Sequence, residues 1–127
     1  MSEAFLEHVN VTVSNPEATA NRLCELFGWH IRWQGNAKYG GTTVHVGTKQ
    51  SYVAVFSYKA TSAPAVETYE TRGGLNHIGI VVDDLDAAEA RVVDAGYTPR
   101  SHADYEPGRR FYFDDEDGIE FEVVSYA

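Results

Sequence analysis

The feature of this sequence that most constrains its fold is an internal repeat. The stretch FLEHVNVTVSNPEATANRL reappears as GLNHIGIVVDDLDAAEARV, at an offset of 69 residues that takes His8 to His77. Beyond these segments the offset falls to 68 residues, as from Gly28 to Gly96. The change from 69 to 68 corresponds to the deletion of one residue near the end of the predicted helix. Such a deletion is typical of a duplicated module, because loops at helix ends tolerate changes in length. The chain is therefore predicted to build the same unit twice.

Each copy begins with a strand and a helix. Alternating apolar residues predict a strand with one buried face: Val9, Val11 and Val13 in copy one, and Ile78, Ile80 and Val82 in copy two. The helix that follows is expected to start at the cap residues Asn15 and Asp84 and to stop at Gly28 and Gly96. In the first helix Cys24, the only cysteine, falls on the apolar stripe and is predicted to lie in the core.

Three further strands complete each copy. They are predicted at residues 29–34, 42–47 and 51–57, and again at 97–101, 109–114 and 119–125. The fold class is thus α+β, with two tandem βαβββ modules in a single domain that spans residues 1–127. Module one is placed at 5–58, a linker with Pro64 and a Gly-Gly pair at 59–73, and module two at 74–126.

Composition excludes several classes of function. The 127 residues carry a formal net charge of −9 and form no basic stripe, which argues against nucleic-acid binding. No apolar run has the length of a signal peptide or of a membrane span. The lone cysteine fits a reducing compartment. We therefore expect a cytoplasmic protein that contacts neither nucleic acid nor membrane.

The repeat brings chemistry-bearing residues to one sheet face. Strand side chains alternate, so His8 and His77 point away from the valines and isoleucines that meet the helices. In the last strand Phe121 faces the helix, which turns Glu122 to the histidine face. Two imidazoles and a carboxylate suit a divalent transition metal with open coordination positions. The counterpart of Glu122 in copy one is Ala54, so a fourth protein ligand is missing there and one side of the metal is expected to be open.

The other three histidines have no repeat partner. Counting by the repeat sets His30 opposite Thr98, His45 opposite Phe113 and His102 opposite Gln34. We therefore expect the site to be built without His30 and His45.

With these residues in place, the chain resembles the vicinal oxygen chelate superfamily, which includes glyoxalase I, fosfomycin-resistance enzymes, extradiol dioxygenases and bleomycin-resistance proteins. The resemblance runs from Phe5 to Ser125 and is strongest in LEHVNVTVSN, LNHIGIVVDD and FYFDDEDGIEFE. It implies a cup-shaped mixed sheet with the helices on its outer face, often at a dimer interface. It also assigns one divalent metal (Fe, Mn, Ni, Co or Zn) to His8, His77 and Glu122.

The resemblance suggests further site residues. In the extradiol dioxygenases a tyrosine ten residues before the carboxylate ligand lines the pocket, and Tyr112 has that spacing here. Arg110 shares its face and is expected to hold an anionic group of the substrate. His102 lies near the place of another dioxygenase histidine and is a second catalytic candidate. The remaining substrate-binding candidates share the open face of copy one: Asn10, Tyr52, Ala54 and Phe56.

Two functions remain open from the sequence. The first is a metal-dependent enzyme on which a small substrate chelates the metal through adjacent oxygens, with lyase or isomerase, thiol-transfer or ring-cleaving dioxygenase chemistry. The second is a metal-free, acidic binding protein of the bleomycin-resistance type that sequesters a cationic small molecule on aromatic residues. Both would act as homodimers according to the resemblance.

Overall fold

The computed structural model describes residues 2–59, 67–105 and 108–127. The first half contains β1 (His8–Thr12), α1 (Pro16–Phe27), β2 (His30–Asn36), a 3-10 turn (Lys38–Gly40), β3 (Thr42–Gly47) and β4 (Tyr52–Ser57). The second half contains β5 (Ile78–Val81), α2 (Leu85–Asp94), β6 (Arg100–Tyr105), β7 (Gly108–Asp114) and β8 (Glu120–Ser125). The prediction of two tandem βαβββ modules is confirmed.

The chain divides into two compact units, unit one at residues 1–62 and unit two at residues 63–127. Each unit holds one four-stranded mixed sheet, in the order β1-β4-β3-β2 in unit one and β5-β8-β7-β6 in unit two. The first strand of each unit runs parallel to the last, and the other neighbours are antiparallel. Part of the predicted linker, 60–66 with Pro64, lies outside the described residues.

The helices begin where the sequence predicts. The side chain of Asn15 accepts a hydrogen bond from the backbone N–H of Ala18, and Asp84 accepts one from Ala87. These bonds satisfy amides that the first helical turn leaves without partners. Helix α1 ends at Gly28, whose φ of +68° is in the left-handed region that glycine adopts without steric cost.

Each helix covers one face of the sheet in its own unit. Helix α1 packs on β2, β3 and β4, and α2 packs on β7 and β8. The largest fully buried side chains in these layers are Phe111, Phe113, Phe121, Leu26, Val13, Val46, Val55, Val92 and Val123. Cys24, which the sequence predicts in the core, is only half-buried, whereas Leu26 of the same helix is fully buried. In the described part of the chain, neither helix has the length and apolar character needed to span a membrane.

Candidate functional site

The strand register within each unit supports the repeat alignment. In unit one, Asn10 of β1 lies opposite Ala54 of β4. In unit two, Gly79 of β5 lies opposite Glu122 of β8. Ala54 and Glu122 therefore hold the same position in their sheets, on the face that the helix leaves uncovered. The sheet register, like the sequence repeat, thus sets an alanine in unit one at the position that a glutamate holds in unit two.

The register corrects the prediction for His45. His45 of β3 pairs with Ala54, and Tyr112 of β7 pairs with Glu122, so His45 is the counterpart of Tyr112 and not of Phe113. The hairpin between Gly47 and Tyr52 contains residues 48–51, whereas its counterpart contains residues 115–119 and is one residue longer. A shift of one residue moves a strand side chain to the other face. Counting by a constant offset therefore put His45 on the wrong face.

The uncovered face of unit two carries a compact polar cluster around Glu122. One carboxylate oxygen, Oε1, lies 3.0 Å from Nε2 of His77, and the other, Oε2, accepts a 2.7 Å hydrogen bond from Arg110. The side chains of Arg110 and Glu122 are each only 12% exposed. Such buried, charge-assisted contacts hold both partners in fixed positions. The structure thus brings together three of the predicted site residues.

A second group of side chains lies against the other nitrogen of His77. The hydroxyl of Tyr69 lies 3.4 Å from Nδ1 and donates a hydrogen bond to Glu120. Arg100 holds the other carboxylate oxygen of Glu120 at 2.9 Å. Burial acts to raise the pKa of Glu120, but the hydrogen bonds from Tyr69 and Arg100 outweigh it and leave that pKa below its ordinary value. Glu120 is therefore ionised at neutral pH.

Tyr112 lies beside this cluster. Its ring meets that of His77 edge-on, with 5.9 Å between the ring centroids. Burial, together with the negative charge of Glu122, raises the pKa of the Tyr112 phenol. Tyr112 therefore carries its proton at neutral pH and is a hydrogen-bond donor at the uncovered face.

The uncovered face of unit one carries an aromatic cluster. The Tyr52 ring stacks against the rings of His8 and His45, with centroid distances of 4.8 Å and 4.6 Å, and those two rings lie 6.5 Å from each other. The guanidinium carbon of Arg32 lies 4.3 Å from the centroid of the same ring. Burial, together with the nearby His8 and Arg32, lowers the pKa of His45. His45 is thus a neutral imidazole at neutral pH.

Two of the substrate-binding candidates line a surface pocket of about 310 Å³ in unit one. These are Asn10 and Phe56, and the pocket is completed by Ala37, Lys38 and Tyr39. Ala54, in contrast, is only 1% exposed. A ligand on this face would therefore contact its neighbours rather than Ala54 itself.

The structure does not bring His102 to Tyr112 or Glu122. Its Nε2 lies 3.0 Å from the carboxylate of Glu89 on α2, and its ring packs against the buried Phe111. The cause is a β-bulge between Arg100 and Ala103, at which Ser101 adopts a φ of +56°. The extra residue turns His102 toward the helix. Strand β6 spans Arg100–Tyr105, whereas the sequence predicted it at 97–101.

The donor set in unit two suits a divalent metal in part. Two ligands about 2.1 Å from one ion subtend about 90° when they lie 3.0 Å apart, as His77 Nε2 and Glu122 Oε1 do, so they fit adjacent coordination positions. Within residues 2–59, 67–105 and 108–127, however, no group of three or more His, Cys, Asp or Glu side chains is placed to hold a metal. His8 belongs to unit one, and its share in the ligand set remains a prediction.

Comparison with known proteins gives the family-level context. A model of the Glyoxalase/Bleomycin resistance protein/Dioxygenase superfamily matches residues 5–123. A search of curated proteins finds no match. Three solved structures illustrate the likeness, and at their low identities they show a shared fold.

A glyoxylase/bleomycin resistance protein/dioxygenase domain from Frankia sp. EAN1pec is 21% identical, with a TM-score of 0.81 over 98% of each chain. TnmS3, an antibiotic binding protein from Streptomyces sp. CB03234, is 20% identical, with a TM-score of 0.74 over 100% of this chain and 99% of its own. The fosfomycin resistance protein FosX from Listeria monocytogenes, complexed with Mn(II) and sulfate, is 16% identical, with a TM-score of 0.71 over 98% of this chain and 93% of its own.

Proposed function

The chain belongs to the glyoxalase/bleomycin resistance protein/dioxygenase superfamily, and from that membership we propose that it is an enzyme that uses one divalent metal to act on a small substrate with adjacent oxygens. The observation that carries this proposal is the contact between His77 and Glu122. Their facing donor atoms lie 3.0 Å apart, and Glu122 is largely removed from solvent. His8, at the equivalent position of unit one, is proposed as the third ligand on the strength of the repeat.

The bound ion would supply Lewis-acid stabilisation of the negative charge that develops on a substrate oxygen. Fe, Mn, Ni, Co and Zn all accept imidazole and carboxylate ligands. The protein side of the site fits this chemistry, because His77 and Glu122 leave other coordination positions to a substrate. The chemistry is of the lyase or isomerase, thiol-transfer or dioxygenase kind.

Two side chains of unit two are proposed to handle the substrate. Tyr112 keeps its proton at neutral pH and is placed to donate a hydrogen bond to a substrate oxygen. The Nε of Arg110 is buried and has no hydrogen-bond partner among the described residues, although its NH1 is bonded to Glu122. Arg110 is proposed to hold an anionic substrate group through the N–H groups that its bonds to Glu122 and to the carbonyl of Gly108 leave over.

In unit one, Asn10 and Phe56 line the surface pocket and Tyr52 anchors the aromatic cluster. These residues are proposed to offer a polar atom and apolar faces to a small molecule. Ala54 is buried and is not one of the residues that line this pocket, so no direct contact with the ligand is proposed for it.

The assembly is proposed to be a cytoplasmic homodimer. Strands β1 and β5 are edge strands of their sheets, and an exposed strand edge is a template for pairing with another chain. Apolar side chains near these strands are exposed, among them Leu6 at 77% and Val81 at 62%. Light scattering should give twice the 14.1 kDa mass of the chain, and a single-chain mass at high concentration would contradict the dimer.

A metal-free binding protein is the second candidate, and two observations favour it. Arg110 already supplies a positive charge to Glu122, as a metal would. The rings of His8, Tyr52 and His45 form a stacked platform in a chain of net charge −9, which suits a flat cationic ligand. If the protein is a metal-free binder, the polar cluster around Glu122 in unit two stabilises the fold and does not bind a metal.

Metal analysis of protein purified without a histidine tag separates the two functions. The measurement compares wild type with His8→Ala, His77→Ala and Glu122→Ala. The enzyme proposal expects about one metal ion per site in wild type and a loss in each variant. If wild type retains no more Fe, Mn, Ni, Co or Zn than the variants, the enzyme proposal fails.

The reaction class is then tested directly on the metal-loaded protein. Oxygen consumption with a panel of catechols tests ring cleavage, and adduct formation with thiols tests thiol transfer. The binding-protein alternative instead expects quenching of tryptophan fluorescence by flat cationic drugs, with equal affinity in the presence and absence of a chelator. A chelator-sensitive affinity would contradict it.

A further inference from the structure

Tyr69 stands out because it belongs to a segment that the repeat does not explain. It falls in the predicted linker at 59–73, which has no counterpart in either module. Its ring is exposed at 62%, so burial contributes little to holding it in place. Its hydroxyl nevertheless lies between Glu120 and Nδ1 of His77. A polar contact, and not packing, accounts for its position.

The hydrogen atoms in this contact can be assigned by counting. A tyrosine hydroxyl has one hydrogen to donate and lone pairs that accept. The carboxylate of Glu120, held on its other oxygen by Arg100, takes that hydrogen. The hydroxyl oxygen is then an acceptor toward His77. Nδ1 of His77 is accordingly the donor in this contact, which leaves Nε2 as the nitrogen for a metal.

The equivalent histidine of unit one, His8, also has a carboxylate at its Nδ1, but the contact is of a different kind. Nδ1 of His8 lies 2.9 Å from the carboxylate of its neighbour Glu7. The position equivalent to Glu120 is Tyr52, which stacks on the His8 ring instead of bonding to Nδ1. In both units a carboxylate thus lies at Nδ1: Glu7 bonds to it directly in unit one, and in unit two Glu120 lies 3.6 Å from it and is linked to it by the Tyr69 hydroxyl.

We propose that Tyr69 is a positioning residue that links Glu120 to Nδ1 of His77 and thereby presents Nε2 of His77 to a bound divalent metal. This inference rests on the proposed metal function and adds to it a role for the segment between the modules. Partners that fix the second nitrogen of a histidine ligand orient the ring and raise its basicity, and their loss typically costs about 10- to 100-fold in metal affinity.

The test uses Zn²⁺ as the probe, because nitrogen and oxygen sites bind it more tightly than Mn²⁺, Fe²⁺ or Co²⁺. Tyr69→Phe removes the hydroxyl and keeps the ring, which lies 6.4 Å from the His77 ring. Competition with a chelating dye should show Zn²⁺ affinity reduced by about tenfold or more. The thermal midpoint of the metal-free protein should stay near that of wild type, since Tyr69 is exposed.

Tyr97→Phe is the matched control. Tyr97 donates a 2.6 Å hydrogen bond to the carboxylate of Glu116 in the same unit. Its loss removes a comparable hydroxyl–carboxylate bond at a different place and should leave Zn²⁺ affinity within about twofold. Glu120→Gln combined with Tyr69→Phe should weaken binding by less than the product of the two single effects, because both residues act through one contact.

A spectroscopic measurement separates positioning from a general structural effect. In the Zn²⁺-loaded protein the Nδ1–H of His77 should give a slowly exchanging proton resonance, and Tyr69→Phe should lose it. If wild type binds Zn²⁺ and both Tyr69→Phe and Tyr97→Phe bind it equally well, the role of Tyr69 is overturned while the metal function stands. If wild type binds no Zn²⁺, the metal function and the role of Tyr69 fail together.

Discussion

Arg110 donates a 2.7 Å hydrogen bond to Glu122 in a place where both side chains are 12% exposed. The sequence predicts Arg110 as a substrate contact and Glu122 as a metal ligand, but it does not indicate that one binds the other. The contact fixes one carboxylate oxygen and leaves the other directed at His77. It therefore couples the stability of unit two to the charge state of its candidate site.

Replacing Arg110 with methionine should expose this coupling. Glu122 would be left largely buried without a cation. Removing one partner of a buried ion pair destabilises a protein by more than the intact pair stabilises it, because the remaining charge is uncompensated. We expect the thermal midpoint of metal-free Arg110→Met to fall by about 4 °C or more. Added Zn²⁺ should then raise the midpoint more than it does in wild type. An equal shift in both proteins would argue against Glu122 as a ligand.

Asp115 should make the stability depend on pH. Burial raises its pKa to about 6, although hydrogen bonds from the backbone N–H groups of Ile119 and Asp117 oppose the rise. Because the folded-state pKa lies above the ordinary value, the stabilising contribution is present below about pH 4 and is lost as the pH rises through 6.

Asp115→Asn keeps an oxygen that accepts both hydrogen bonds and removes the charge. We expect the variant to be more stable than wild type at pH 7 by roughly 1 to 2 kcal/mol, allowing for solvent screening of a partly exposed group. The difference should vanish near pH 4. Urea unfolding at several pH values measures it, and a difference that does not change with pH would contradict the assigned cause.

His102→Ala tests the position that the bulge gives this residue. His102 is bonded to Glu89 of α2 and lies away from Tyr112. We expect the variant to bind as much metal as wild type and to lose no more than about 1 kcal/mol of stability, as for an exposed ion pair. Metal content and urea unfolding provide the measurements. A loss of metal comparable to that in His77→Ala would show that His102 reaches the site.

Phe121→Ala tests the core that supports β8. Phe121 is buried and stacks on Phe113, with 5.1 Å between the ring centroids. Its removal leaves a cavity beneath the strand that carries Glu120 and Glu122. We expect the free energy of unfolding to fall by about 3 to 5 kcal/mol. Val93→Ala on the exposed side of α2 is the control, with a change of about 0.5 kcal/mol or less.

Much of the fold follows from local sequence patterns. The repeat, the period-two strands and the caps at Asn15 and Asp84 predict both βαβββ units and most strand bounds to within about two residues. These patterns suffice because alternation, capping and left-handed glycines depend on neighbours in sequence. The same alternation places His77, Glu122, Arg110 and Tyr112 together on the uncovered face of unit two.

The places where sequence reasoning fails are those where one residue is inserted or removed. The bulge at Ser101 turns His102 to the helix, and the longer hairpin before β8 makes His45 the counterpart of Tyr112. The bulge at residues 100–103 contains no glycine or proline that would mark it, and Gly118 in the hairpin indicates a turn but not its length. A single residue reverses the side-chain direction, so a small error of alignment becomes a change of face.

The sequence by itself determined the duplicated α+β fold and the place of His77 and Glu122 on one face of their sheet, because both depend on which residue types recur at fixed intervals. Tertiary structure alone decided that Arg110 binds Glu122, that Tyr69 reaches His77 and that His45 joins the His8 face. Those contacts join residues that are not neighbours in the chain but lie 8, 12 and 37 positions apart. Their geometry is set by bulges, hairpin lengths and side-chain rotamers that no local pattern encodes.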